Sequence, residues 1–121
     1  MRENKLVDIS LDFSVKVIQF CECVRGHISL RNQLERSATS IGANIHEANY
    51  AQSKADFISK LQIALKECYE TEYWLKLFEK TGLADHTQIQ LLTIQCGTIR
   101  KILISSVKTA KNNLNSAKRS P

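Results

Sequence analysis

Gln33, Ser37, Ser40, Asn44 and Glu47 follow one another at steps of three and four, so on a helix they form one continuous polar seam. Hydroxyls, an amide and a carboxylate on one face can grip a ligand, hold a metal, or lock one helix against the next. Glu72 projects from the middle of the apolar face of its helix, between Cys68 and Leu75, and is a candidate buried carboxylate. A lone buried carboxylate is costly, so it needs a donor or takes up a proton. Arg36, Asn44 or a lysine of another helix could supply the donor. Paired carboxylates in a helical bundle can bind two metals, but the usual pattern is a pair of Glu-x-x-His units on facing helices. The chain has none, and His46 next to Glu47 points two ways. His27, His46 and His86 have no second ligand at helical spacing, so neither a metal nor a cofactor is expected.

Nucleophilic chemistry is equally poorly supported. Cys68 and Cys96 sit on apolar stripes with no histidine spaced to activate them. Cys21 and Cys23 diverge on a helix, and no CxxC pair occurs among the four cysteines. The start, MRENKLVD, lacks the basic-then-apolar form of a signal peptide, so the thiols are expected to be reduced and the protein cytoplasmic. There is no glycine-rich phosphate loop. An enzyme acting on a small-molecule substrate is therefore not expected. Tyr73 and Trp74 flank the third helix and could stack on bases, although packing against a neighbouring helix or subunit is the simpler reading.

Charge gives a stronger lead. The formal net charge is +5, from 17 Lys plus Arg and 12 Asp plus Glu. Residues 1–52 carry six cations and six anions, and residues 53–84 carry five of each. Residues 85–121 carry six cations against Asp85, so the whole net charge falls in the last 37 residues. Arg100, Lys101, Lys108 and Lys111 share an arc of about 100° at 3.6 residues per turn. The helix dipole alone accounts for Lys108 and Lys111, less well for Arg100 and Lys101. These four are the candidate phosphate contacts.

The elements that position these residues follow from hydrophobic spacing. The only proline is Pro121, and the four glycines are scattered, which predicts an all-α chain. The first helix spans about Glu3–Arg25, with a stripe of Leu6, Ile9, Phe13, Val17, Phe20 and Val24 and a stop at Gly26. The second opens near Ser29 as N-cap and runs to about Tyr50, with Leu30, Leu34, Ala38, Ile41, Ile45 and Ala48 on one face. Ser53 with Asp56 resembles a capping box for the third, which carries Phe57, Leu61, Ala64, Leu65, Cys68, Leu75 and Phe78 and stops at Gly82. Asp85 with Gln88 opens the fourth, whose heptad seam is Ile89, Leu92, Cys96, Ile99, Leu103, Ser106 and Ala110. Short breaks favour antiparallel neighbours, hence an up-down-up-down four-helix bundle over residues 1–112 with a frayed basic tail at 113–121. No apolar run is long enough for a membrane span. Val7, Leu11, Val15 and Ile18 form a second stripe on the outer side of the first helix, a candidate self-association surface.

The segment from Gln33 to Ala48, QLERSATSIGANIHEA, resembles the central signature of bacterial four-helix-bundle proteins encoded in intervening sequences of large-subunit ribosomal RNA genes. A second block agrees: Ser53, Asp56-Phe57-Ile58, Lys60-Leu61, Ile63 to Glu67, and Glu70-Thr71 leading to Tyr73-Trp74-Leu75. The resemblance covers residues 5–112 and matches the polar signature at Arg36, Ser37, Ser40, Asn44, Glu47, Glu67 and Glu70. Glu72 has no place in it, and Ala48 stands where many relatives have glycine. The resemblance implies a ring-like homo-oligomer, typically a pentamer, and brings no catalytic residues with it. The chain is also similar to the accessory variability determinant of diversity-generating retroelements, whose basic pentamers bind nucleic acid and partner a reverse transcriptase. Two readings follow: an accessory protein binding RNA or DNA through its basic surface, or a protein–protein interaction module without nucleic acid.

Overall fold

With almost no helix breakers, the chain folds into α1 (Arg2–Cys23), α2 (Ile28–Ala48), α3 (Lys54–Thr81) and α4 (His86–Arg119). The computed structural model describes the backbone of residues 2–119 and the side chains of residues 5–117. Each helix packs against its neighbours in sequence, and α1 closes the square on α4. Along α2 and α3 the pairs Ser37–Thr71 and Glu47–Lys60 run in opposite chain directions. Phe20 lies near Leu92 at one end of the α1–α4 groove and Leu6 near Ala110 at the other. The order is therefore up-down-up-down, the four-helix bundle expected from short connections.

The helix ends follow local chemistry. The Ser53 hydroxyl accepts the Asp56 amide at 3.1 Å, while the Asp56 carboxylate accepts the Gln52 amide at 3.3 Å. The Asp85 carboxylate accepts the Gln88 amide at 3.1 Å, so both expected caps form, each worth about 1 kcal/mol. Gly82 ends α3 at φ 67°, a left-handed position where a side chain would be strained. Ser29, however, lies inside α2 and does not cap it. Gly26 and His27 both adopt positive φ, 76° and 49°, and the His27 carbonyl accepts the first α2 amides, from Leu30 and Arg31. The turn is thus made by backbone alone.

The core is the set of stripes read from spacing, with one change of register. Leu6, Phe13, Val17, Leu34, Ala38, Ile41, Leu61, Ala64, Cys68, Leu75, Cys96, Ile99 and Leu103 are all buried, and Phe20 meets Phe78 edge-to-face at 5.9 Å across the bundle. On α3 the buried series is Ile58, Leu61, Ala64, Cys68, Thr71, Leu75 and Phe78, which alternates three and four from Leu61 onward. Thr71, not Glu72, fills the place between Cys68 and Leu75. Glu72 is rotated by about 100° to the flank facing α4 and is half-buried, so the expectation of a core carboxylate is corrected. On α1, Ser10 and Ser14 are buried against Gly42 of α2, where an added Cβ would stand 3.4 Å from the Ser14 hydroxyl. Small residues let these two helices approach closely. The stretch 113–119, expected to fray, continues α4 as helix, with Leu114 packed against the core. Residues 120 and 121 of that tail lie outside the described residues.

Candidate nucleic-acid interface

The polar face of α2 meets α3 at Ser37, Glu47 and the neighbouring Arg36. The buried Thr71 hydroxyl donates to the Ser37 hydroxyl at 2.9 Å, and Ser37 donates onward to the Leu34 carbonyl at 3.3 Å. Arg36 donates to the Glu70 carboxylate, lies 3.5 Å from Glu67, and reaches back to Gln33 at 3.3 Å. The same Glu70 oxygen accepts the Trp74 indole N–H at 3.0 Å. That indole bond, with Arg36, holds the Glu70 carboxyl below the ordinary carboxylate range, and the Glu70 hydrogen bond raises Arg36 in turn. At the far end Lys60 pairs with Glu47 at 3.1 Å, and the Asn44 amide donates to its own helix at the Ser40 carbonyl, 2.8 Å away. Among the described residues, every polar side chain of the seam from Gln33 to Glu47 thus has an intrachain contact except that of Ser40, whose carbonyl alone is engaged. The arrangement fixes the register of two antiparallel helices.

The face between α3 and α4 is different. Arg100, expected on the open basic surface, donates to Glu72 at 3.1 Å with both side chains largely covered, 28% and 25% exposed. This bond raises the guanidinium's pKa, and Arg100 also stands 6.0 Å from the centroid of the Tyr69 ring. Of the donors considered for Glu72 (Arg36, Asn44 or a lysine), none is used: its partner is the arginine one helix further on. Arg100 is a spent cation. Lys101, Lys108 and Lys111 are exposed and have no carboxylate within ion-pair distance among the described residues. Lys108 and Lys111 border an open groove of about 360 Å³ whose apolar side is Leu65, Ile104 and Val107. The spacing of charges does not single out Tyr69 or Leu65; the signal was their position one and two turns before Glu72 on the α4-facing flank.

The outer stripe of α1 separates in two. Val7 is half-buried and packs against the core, whereas Leu11, Val15 and Ile18 are 63%, 45% and 41% exposed. Trp74 is half-buried with its N–H satisfied, and Tyr73 is exposed beside it. Cys21, Cys68 and Cys96 are buried and Cys23 is exposed. Burial, then the Glu35 carboxylate, pushes the Cys21 thiol up to about 12. The Cys68 thiol and burial push Cys96 up as well, so neither is an activated nucleophile. Among the described residues no group of three His, Cys, Asp or Glu side chains could hold a metal ion, and no helix is long and apolar enough to cross a membrane.

Residues 2–105 match the model of the 23S rRNA-intervening sequence protein family. The chain belongs to that family. Among solved structures, a protein of unknown function from the S23 ribosomal protein family of Bacteroides thetaiotaomicron VPI-5482 is similar to this chain with a TM-score of 0.83. The two are 43% identical over 89% of this chain and 99% of that one. No curated protein matches the chain. In this intervening-sequence protein, the signature residues Arg36, Ser37, Glu47, Glu67 and Glu70 make contacts that join α2 to α3, whereas Asn44 bonds within α2. Its signature belongs to the scaffold, and its candidate interface lies outside it.

Proposed function

We propose that this intervening-sequence protein is a non-enzymatic, ring-forming bundle that holds RNA or DNA by its phosphates as an accessory factor. The observation that carries the reading is the set Lys101, Lys108 and Lys111, exposed on α4 and unpaired among the described residues. One copy offers a modest patch. Several copies around a ring multiply it into a continuous basic surface, so oligomerisation and binding belong to one proposal. The family's name, with its ribosomal RNA element, makes structured RNA the first ligand to try. The similarity to retroelement accessory proteins makes a reverse transcriptase the first protein partner to try. Phosphate binding by lysines releases counterions, so affinity falls steeply with salt, by about 0.7–0.9 log units per tenfold salt for each phosphate neutralised. The test is a titration of purified protein against a structured ribosomal RNA fragment at rising salt. Affinity that ignores both salt and charge reversal at Lys101, Lys108 and Lys111 contradicts the proposal.

A second reading has its own support in the exposed Leu11, Val15 and Ile18. A contiguous apolar row on an outer helix face marks a partner surface. On this reading the bundle is an interaction module that binds copies of itself or another protein, without nucleic acid. Leu11→Glu with Ile18→Glu is then expected to lower the solution mass by light scattering while the circular dichroism stays helical. An unchanged mass counts against it.

A further inference from the structure

We propose that the α3–α4 groove takes unpaired nucleotides, so that the protein prefers single-stranded RNA or DNA over a duplex. The inference rests on the nucleic-acid reading above and adds to it which form is bound and where the bases go. Lys108 and Lys111 stand four and seven residues after Ile104, on the same side of α4, so cationic heads border an apolar floor. Leu65 of α3 completes that floor, and Asn112 and Asn115 bring two amides to the same groove. Ile104 is 42% exposed, although α4 buries its main seam elsewhere, so this apolar surface is left wet by the monomer.

The groove has an aromatic end. Tyr69 is four residues from Leu65 and Arg100 four from Ile104, so the Arg100–Tyr69 contact lies one helical turn along from the floor on both helices. Tyr69 is 53% exposed, with the guanidinium held over its ring by Glu72, which leaves ring surface open to a base. A cationic border, an apolar floor and an exposed ring are the parts that single-strand binders combine: lysines follow the backbone while bases lie on apolar and aromatic surface. A duplex can use only the lysines, because its bases are stacked and paired inside. Tyr69 and Ile104 therefore discriminate between the two forms, and Lys108 and Lys111 do not.

The experiment measures binding of a labelled 20-nucleotide RNA and of the same strand annealed to its complement, by fluorescence anisotropy at one fixed low salt. The single strand is expected to bind about tenfold more tightly. Tyr69→Ala is expected to lower single-strand affinity about tenfold and leave duplex affinity unchanged, whereas Tyr69→Phe retains wild-type binding. Lys108→Ala with Lys111→Ala is expected to weaken both forms. Tyr69 is a surface residue, and matched thermal melts of the variants separate a binding loss from a folding loss. Equal affinity for the two forms, or single-strand binding indifferent to Tyr69→Ala, overturns this inference and leaves the phosphate-binding proposal standing. No binding to either form overturns both.

Discussion

The α2–α3 seam and the outer face of α4 carry similar polar side chains and use them in opposite ways. In the seam a hydroxyl meets a hydroxyl, an arginine meets two glutamates and a lysine meets a glutamate, all within one chain. On α4, Arg100 is taken by Glu72 while Lys101, Lys108 and Lys111 point to solvent. A polar residue whose partner lies in the fold contributes to stability and register. One without a partner in the fold is available to a ligand. The contrast places the candidate interface away from the signature residues that join α2 to α3.

The contrast breaks most visibly in the core beneath the seam. Leu34 is fully buried on α2, so Leu34→Ala is expected to cost about 2–5 kcal/mol in urea unfolding. RNA affinity per folded molecule should not change. Next comes the hydroxyl pair. Thr71→Val strips the donor from Ser37 inside the core and should cost about 1–3 kcal/mol. Adding Ser37→Ala should cost less than the two single changes summed, since no unmatched hydroxyl remains. Additive losses in that cycle would show that the pair is not coupled.

Smaller effects sharpen the other side. Replacing Lys101, Lys108 and Lys111 with alanine should leave stability within about 0.5 kcal/mol, because surface positions without partners contribute little. The smallest expected effect is the pH response of Glu70, whose carboxyl is held below its ordinary range by Trp74 and Arg36. A depressed carboxyl stabilises the fold above its unfolded-state value and loses that contribution as pH falls through the folded-state value. The stability gap between wild type and Glu70→Gln should therefore be open at pH 6 and narrow as the pH falls through the acid range. Glu70 is more than a third exposed, so solvent screening keeps the gap small. A gap that widens in acid contradicts the pairing.

Much of the fold was legible in the sequence, because hydrophobic spacing depends only on helix geometry. The stripes of α1, α2 and α4 fall in the core largely as spaced, and Ser53, Gly82 and Asp85 mark ends by local chemistry. Glu72 shows where spacing fails. Positions three and four after Cys68 both continue a helical stripe, and only packing decides that Thr71 enters the core. Ser29 failed as a cap because Gly26 and His27 turn the chain through backbone conformation that residue type does not announce. The candidate interface was legible as charge at Lys101, Lys108 and Lys111 but not at Arg100. Whether a cation is free depends on a partner 28 residues away on another helix.

The seam and the α4 face are separated most directly by comparing RNA affinity in two variants at low salt, each corrected for its folded fraction. One replaces Lys101, Lys108 and Lys111 with alanine, and the other is Arg36→Ala in the seam. The expected result is a loss of about tenfold or more for the lysine variant and no change for Arg36→Ala. Equal losses in both, or a loss confined to Arg36→Ala, would contradict the division between a structural seam and a binding surface.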